Sequence, residues 1–270
     1  MDERAKKFIL DRDANLKNAS RYEVPTPRYK KTIGIIGGMG SVATYDFFGR
    51  LIRAIPAEKE WDRPRIIIDN RCTMPSRVRA ILYNENYDYV LACLVESTRM
   101  LLNAGADILV LACNTSHVFL EDIERRVPQA KGKFVNIIES LGKYLSKSVN
   151  QGNRRFRLLA SERTIESKVY ERYLAQYDVE IEYPTKCDYV RLRDIIEDVK
   201  QDKVNETTKE TMVNLINESS CKNIIIGCTE FPIVYRNVAA TIESLGYSVY
   251  DPLEATIERI KSLLEDDLHE

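Results

Sequence analysis

Ile108-Leu109-Val110-Leu111-Ala112-Cys113-Asn114-Thr115-Ser116-His117 and Asn223-Ile224-Ile225-Ile226-Gly227-Cys228-Thr229-Glu230 are two versions of one pattern: a short aliphatic run, a small residue, a cysteine, then polar side chains. A brief run of this kind reads as a strand buried on both faces, the signature of a parallel sheet covered by helices. Open α/β sheets take their ligands at the carboxyl ends of their strands. Each cysteine therefore stands where a ligand is expected. Two thiols at matching positions of two half-chains can face one bound molecule, the geometry needed to take a proton from one face of a carbon and return one to the other.

Working outward, strands and helices alternate from residue 32 in the βα rhythm of a parallel sheet with helices on both faces. The pattern predicts a strand over 32–36, a helix over 42–55 stopped by Pro56, a strand over 65–69, a helix over 87–104 closed by Gly105, and the Cys113 strand over 108–112. It then begins again: a strand over 156–160, a helix over 164–177, a short strand over 180–183, a helix over 204–219, and the Cys228 strand. The cysteines are 115 residues apart and the leading strands, taken at Ile33 and Arg157, 124 apart, which suggests two related halves. A last strand over 247–250 leads through Asp251-Pro252 into a closing helix, with Pro252 suited to its first turn. The predicted division is an amino-terminal extension (1–31), a first α/β domain (32–137 plus 249–270) and a second (138–248), with the site in the cleft between the two domains. The extension is charged and ends in a proline-containing breaker, so it reads as a solvated arm, with a short helix packing on a partner subunit as the alternative.

Composition narrows the function. A chain of 270 residues buries a substantial core without disulfide staples. A net charge of −1 and a pI near 6.3 give no electrostatic footprint for nucleic acid or an anionic membrane. Six cysteines without a C-x-x-C pair, and only two histidines, argue against a structural zinc site and for free thiols in a reducing compartment. No window has the length and apolarity of a membrane helix or a signal peptide, so a cytoplasmic protein is expected.

Gly37-Gly38-Met39-Gly40 follows the first strand and opens a helix. Read as Gly38-x-Gly40-x-x-Ala43, with Asp69 ending the next strand, it satisfies a dinucleotide fingerprint, but such a turn binds a carboxylate as well as a pyrophosphate. A cysteine base needs positive potential nearby, and a helix starting after each strand is expected to ease ionisation of Cys113 and Cys228. Cys72, Cys93, Cys187 and Cys221 lack that context. His117, four residues after Cys113, either orients that thiol or caps a helix at the core's edge. Glu230, two residues after Cys228, is either a polarising neighbour or an ordinary acid at a helix start. Backbone N–H groups beyond Gly38 and Asn114 are candidate donors to a substrate carboxylate.

In combination, Ile35-Ile36-Gly37-Gly38-Met39-Gly40-Ser41-Val42-Ala43-Thr44, Ala112-Cys113-Asn114-Thr115-Ser116-His117 and Gly227-Cys228-Thr229-Glu230 resemble the cofactor-independent aspartate/glutamate racemases, most closely the aspartate racemase branch. The resemblance runs from about residue 32 to the end. It implies two similar α/β domains with one cysteine from each in the cleft: one thiolate removes the α-proton while the opposite thiol delivers another, without pyridoxal phosphate or metal. It further implies that Asn114, Thr115 and Thr229 bind the α-carboxylate and amine, that Met39 and Gly40 line the pocket, that Arg77 holds the side-chain carboxylate, and that Lys200 supports it. Two departures stand out. Ser76 precedes Arg77 where the family usually has aspartate, and Ser161-Glu162-Arg163-Thr164 puts charges at the pocket's edge. The helix containing Lys200 reads as polar throughout, which makes a plain solvated lysine an equal alternative. A homodimer acting on a small amino acid is expected.

Three rivals remain open on sequence alone: another reaction of the superfamily (maleate isomerase, hydantoin racemase or decarboxylase type), a nucleotide-binding module built on the Gly38–Gly40 turn, and an amino-acid sensor without catalysis.

Overall fold

In the computed structural model, residues 2–18, 26–148, 154–266 and 268 are described. Part of the expected extension, residues 19–25, and His269 lie outside them. The chain opens with helix α1 (Glu3–Asn18), so its first stretch is helical rather than an irregular arm; Phe8 and Leu10 on it are exposed. The first half runs β1 (Ile33–Gly37), α2 (Ser41–Ala54), β2 (Ile66–Asn70), α3 (Arg77–Tyr83), α4 (Tyr87–Asn103), β3 (Ile108–Leu111), α5 (Leu120–Arg126) and α6 (Ile137–Ser148). The second runs β4 (Arg155–Leu159), α7 (Glu162–Glu166), α8 (Val169–Leu174), β5 (Glu180–Glu182), α9 (Asp188–Lys200), α10 (Glu206–Asn217), β6 (Asn223–Ile226), α11 (Phe231–Ser244), β7 (Ser248–Tyr250) and α12 (Pro252–Asp266).

Both sheets are parallel and share one winding. The first has strand order β2-β1-β3 and the second β5-β4-β6-β7, so in each the leading strand lies between the next two. Even the extra strand has an echo, because Phe134 bridges Leu109 at the outer edge of β3. Alternation along each strand sends side chains to opposite faces. Ile33 and Ile35 of β1, with Ile108 and Val110 of β3, pack against Phe47 and Leu51 of α2 and Ile257 and Ile260 of α12; Ile36, Leu109 and Leu111 pack against Leu91, Leu94 and Leu101 of α4. Phe156 and Leu158 likewise face α6 and α8, while Ile224 and Ile226 face α9, α10 and α11. In β1, β3 and β6 every residue is buried, which is why aliphatic runs mark these strands so clearly, whereas β4 (Arg155–Leu159) and β5 (Glu180–Glu182) mix charged and apolar residues.

Three expectations change. The helix expected over 164–177 is broken: Lys168 takes the left-handed conformation (φ 54°) and divides α7 from α8. The helix carrying Lys200 is not polar throughout, since α9 buries Leu192, Ile195, Ile196 and Val199 along one stripe. Residues 249 and 250, expected with the first domain, belong to β7, which pairs with β6 in the second sheet; only from Pro252 does the chain return, as α12 packs along α6 and α2. Among the described residues no helix is long and apolar enough to cross a membrane.

Candidate active site

A cavity of about 370 Å³ opens where the carboxyl ends of both sheets converge. Met39 follows β1, Cys113–Thr115 follow β3, Ser161 and Glu162 follow β4, and Cys228–Glu230 follow β6. Helices α3 and α9 supply the remaining walls. The fold thus brings both strand-end cysteines to one cavity, with Met39, Arg77, Asn114, Thr115, Thr229, Glu230 and Lys200 around them. Gly40 and His117 are not part of that lining.

Cys228 donates its thiol proton to Glu230 Oε2 at 3.0 Å, and the Thr229 hydroxyl donates to the same oxygen at 3.1 Å. Glu230 is buried, and among the described residues it has no cationic partner. Burial, ahead of the Glu230 charge and hydrogen bond, pushes the Cys228 thiol well above its ordinary range. This overturns the expectation of an easily ionised Cys228: desolvation and a neighbouring carboxylate outweigh the start of α11. Gly40 finds its reason here too, because a Cβ at that position would run into the Glu230 carboxylate. The glycine admits the protein's own carboxylate to the start of α2, which argues against a pyrophosphate in the same place. Gly38 has φ +76°, and its N–H is taken by the Thr44 hydroxyl at 3.1 Å.

On the opposite wall Cys113 is buried. Asn114 accepts a hydrogen bond from the Tyr170 hydroxyl at 2.8 Å. Thr115 joins Thr164 (2.8 Å) and Ser161 (3.1 Å) in a triangle of hydroxyls that links the β3 loop to the β4 loop. Ser116 donates to the Met39 sulfur at 2.8 Å. His117 turns away from the thiol: Nε2 accepts the Ile137 N–H at 3.2 Å, so Nδ1 carries the proton and donates to the Cys113 carbonyl at 3.0 Å. Burial lowers its pKa to about 4 and keeps it neutral. Of the two sequence readings, the helix-capping one describes its place.

Charges ring the rest of the cavity. Lys200 pairs with Glu197 (2.9 Å), Arg193 with Glu162 (2.9 Å), and Arg79 with Glu85 outside the lining (2.7 Å). Arg77 differs. Its guanidinium donates to the carbonyls of Met39 (2.5 Å) and Pro75 (3.0 Å), its Nε is buried without a partner, and it has no carboxylate partner among the described residues. Sequence reasoning missed Val78, Leu82 and Tyr83 on α3, and Tyr189, Arg193 and Ile196 on α9. The signal for α9 was present as the Leu192, Ile195, Ile196, Val199 spacing, hidden among charged neighbours.

Two repeated parallel sheets, with a cavity at their carboxyl ends that carries one thiol from each, define an α/β protein of two similar lobes. The family model described as Asp/Glu/hydantoin racemase matches residues 36–260, and the chain belongs to that family. Among solved structures it is similar to the aspartate racemase of Picrophilus torridus, with a TM-score of 0.72 and 27% identity over 88% of this chain and 94% of that one. Glutamate racemase of Thermus thermophilus shares the fold, with a TM-score of 0.64 and 18% identity over 90% of this chain and 83% of that one. Among characterised sequences, the broad-specificity amino-acid racemase RacX of Bacillus subtilis is 24% identical over 80% of this chain and 92% of its own length. Glutamate racemase of Aquifex aeolicus is 27% identical over 64% of each. Membership of this family places the chain among the isomerases.

Proposed function

We propose that the protein racemises an acidic amino acid, aspartate and secondarily glutamate, by proton transfer between Cys113 and Cys228 without a cofactor. The observation that carries the proposal is the convergence of the two strand-end cysteines, from equivalent places in two equally wound sheets, on one cavity. The substrate lies between them. In the resting state Cys228, held protonated, is the acid, which assigns the base to Cys113 for the enantiomer whose α-hydrogen faces β3. The other enantiomer is handled with the roles exchanged. Removing the α-proton builds negative charge onto the α-carboxylate, so donors aimed at it stabilise the transition state more than the ground state. The Asn114 amide and the Thr115 hydroxyl are those donors, while the Thr229 hydroxyl, which gives its proton to Glu230, can only accept from the substrate amine. Glu230 keeps its thiol neutral until the substrate excludes water and the proton moves.

For the side chain, Arg77 is the cavity cation without a carboxylate partner, and an acidic substrate would supply one in place of backbone carbonyls. Lys200, already paired with Glu197, adds a weaker field. A second reading has its own support: Val78, Leu82, Tyr83, Tyr189 and Ile196 give the cavity an apolar wall suited to neutral side chains, and one relative is a broad-specificity racemase. A homodimer in the cytoplasm belongs to the same proposal, supported by the six free cysteines for the compartment. Proton NMR of each amino acid in D₂O tests the function: α-hydrogen loss from either enantiomer, with optical activity decaying to zero, is expected for aspartate and glutamate. Retention of the α-hydrogen by every amino acid offered would sink the proposal.

A further inference from the structure

Among the described residues Tyr170 is the largest side chain buried without any exposure, and it contacts both cysteine loops at once. It starts from α8, the short helix made separate by the left-handed turn at Lys168, and it closes the Thr164, Ser167, Tyr170 spacing that the chain shares with the racemases, a resemblance that assigns it no role. Its hydroxyl donates to Asn114 Oδ1, beside Cys113, at 2.8 Å. Its ring end lies against Gly227, beside Cys228: a Cβ on that glycine would come within 2.9 Å of the Tyr170 oxygen and 3.1 Å of Cζ. One phenol therefore touches the residue after the first cysteine and the residue before the second.

The hydrogen bond decides which way the Asn114 amide faces. A carboxamide can present either its oxygen or its NH₂, and the two orientations are nearly equal in shape. In the observed one the phenol proton has an acceptor. In the flipped one the NH₂ would donate to the phenol oxygen, and the buried phenol proton would lose the acceptor it has in the structure, which is the costly arrangement. Burial also raises the Tyr170 pKa well above its ordinary value, so the proton stays on and the phenol remains a donor. Asn114 Nδ2 makes no hydrogen bond to the protein among the described residues, and Asn114 lines the cavity. With Oδ1 pinned by Tyr170, the free amide donor is the group left for the cavity.

We infer that Tyr170 is a positioning residue: it locks the Asn114 side chain with its NH₂ toward the substrate carboxylate and braces the two cysteine loops at a fixed separation. The inference rests on the racemase reading for its consequence in turnover, and on geometry alone for the amide orientation. Without the lock, Asn114 would present its oxygen to an anionic substrate for part of the time, and the mismatch would be felt most as negative charge grows on the carboxylate.

The test is Tyr170→Phe, which keeps the ring against Gly227 and removes only the hydroxyl. Racemisation by Tyr170→Phe is expected to fall about tenfold in kcat/KM, the scale of one hydrogen bond, with kcat taking the larger share. Because the effect runs through Asn114, Tyr170→Phe should cost nothing further in an Asn114→Ala background; additive losses in that double-mutant cycle would overturn the inference. A second readout needs no turnover. In ¹⁵N-labelled protein the Asn114 side-chain amide, identified by its disappearance in Asn114→Ala, should give one sharp pair in the native chain and a broadened or doubled pair in Tyr170→Phe. A sharp, unshifted pair in Tyr170→Phe overturns the positioning role whatever the activity. A native chain that turns over no amino acid refutes the racemase reading and leaves the amide signal to decide this one.

Discussion

Glu230→Gln isolates what sets the resting proton of the site. In the native chain the Cys228 sulfur donates to a carboxylate oxygen 3.0 Å away, so forming the thiolate loses a charge-assisted hydrogen bond and creates a like-charge contact. A Coulomb ceiling for unit charges at this distance, with an effective dielectric near 20, is about 5–6 kcal/mol. A hydrogen bond to a charged group gives the more realistic figure of about 1.5–3 kcal/mol. At about 1.4 kcal/mol per factor of ten, the substitution should lower the Cys228 pKa and favour the thiolate by about 10- to 100-fold. Burial, the larger cause of the native shift, is untouched by the change.

The assay follows from the chemistry of thiolates. At neutral pH the thiolate fraction rises by that factor of about 10 to 100, while the lower basicity of the thiolate, with a Brønsted coefficient near 0.4–0.5, returns part of the gain. The net expectation is that a small disulfide reagent modifies Cys228 about three- to tenfold faster in Glu230→Gln than in the native chain. Peptide mapping by mass spectrometry separates Cys228 from Cys113, which serves as the reference in the same cavity. Modification of Cys228 at the native rate, or more slowly, would show that the carboxylate does not hold the thiol neutral.

The remaining predictions concern the other site residues. Cys113→Ala and Cys228→Ala should each abolish racemisation while leaving α-hydrogen exchange for one enantiomer only, read by NMR in D₂O from pure enantiomers; near-native racemisation in either variant would overturn the two-thiol mechanism. Arg77→Leu should raise KM for aspartate and glutamate by about tenfold or more, and for a neutral amino acid by less, because a charge-assisted pair contributes about 1.5–3 kcal/mol. Equal losses on both would mean that Arg77 serves only the Met39 and Pro75 carbonyls. His117 carries a pKa of about 4 in the folded chain, below its ordinary ~6.5, so the unfolded chain binds the extra proton between these values. Stability should therefore fall as pH drops from about 6.5 to 4, by about 3 kcal/mol from this residue. Denaturant titrations of His117→Gln should show a correspondingly flatter pH profile; an unchanged slope would count against it.

What the sequence showed, and what it hid, divides along physical lines. The strands around Ile33, Ile108 and Ile224 were legible because parallel strands buried on both faces have no competing polar pattern, and each cysteine came directly after such a run. The split of α7 from α8 was not legible, since the left-handed residue is Lys168 rather than glycine or asparagine, the residues that signal such a turn. His117 was ambiguous for a geometric reason. A spacing of four residues serves equally for a ring aimed at the Cys113 thiol and for one aimed at the Cys113 carbonyl, and the Ile137 N–H from a distant helix settles the matter. Glu230 was visible as a charge near Cys228, but the sign of its effect depended on the carboxylate folding back onto the sulfur, with Gly40 making the room.

The asymmetry between the two thiols has a limit imposed by thermodynamics. Enantiomers have equal free energies in water, so the ratio of kcat/KM in the two directions must be one, whatever surrounds Cys228. The Glu230 carboxylate therefore cannot favour one product at equilibrium. What it can set is which protonation form of the empty site predominates, and hence, in the proposed mechanism, which enantiomer the resting protein accepts. Under the proposed mechanism, a turnover that consumes the Cys228 proton leaves Cys113 protonated and a thiolate beside a buried carboxylate, an unfavourable state that must recover its proton or process the opposite enantiomer. Two sheets of the same winding supply two equivalent thiols. The single carboxylate after β6 makes them inequivalent between turnovers, and the difference has to appear in kcat and KM separately, since it is forbidden to appear in their ratio.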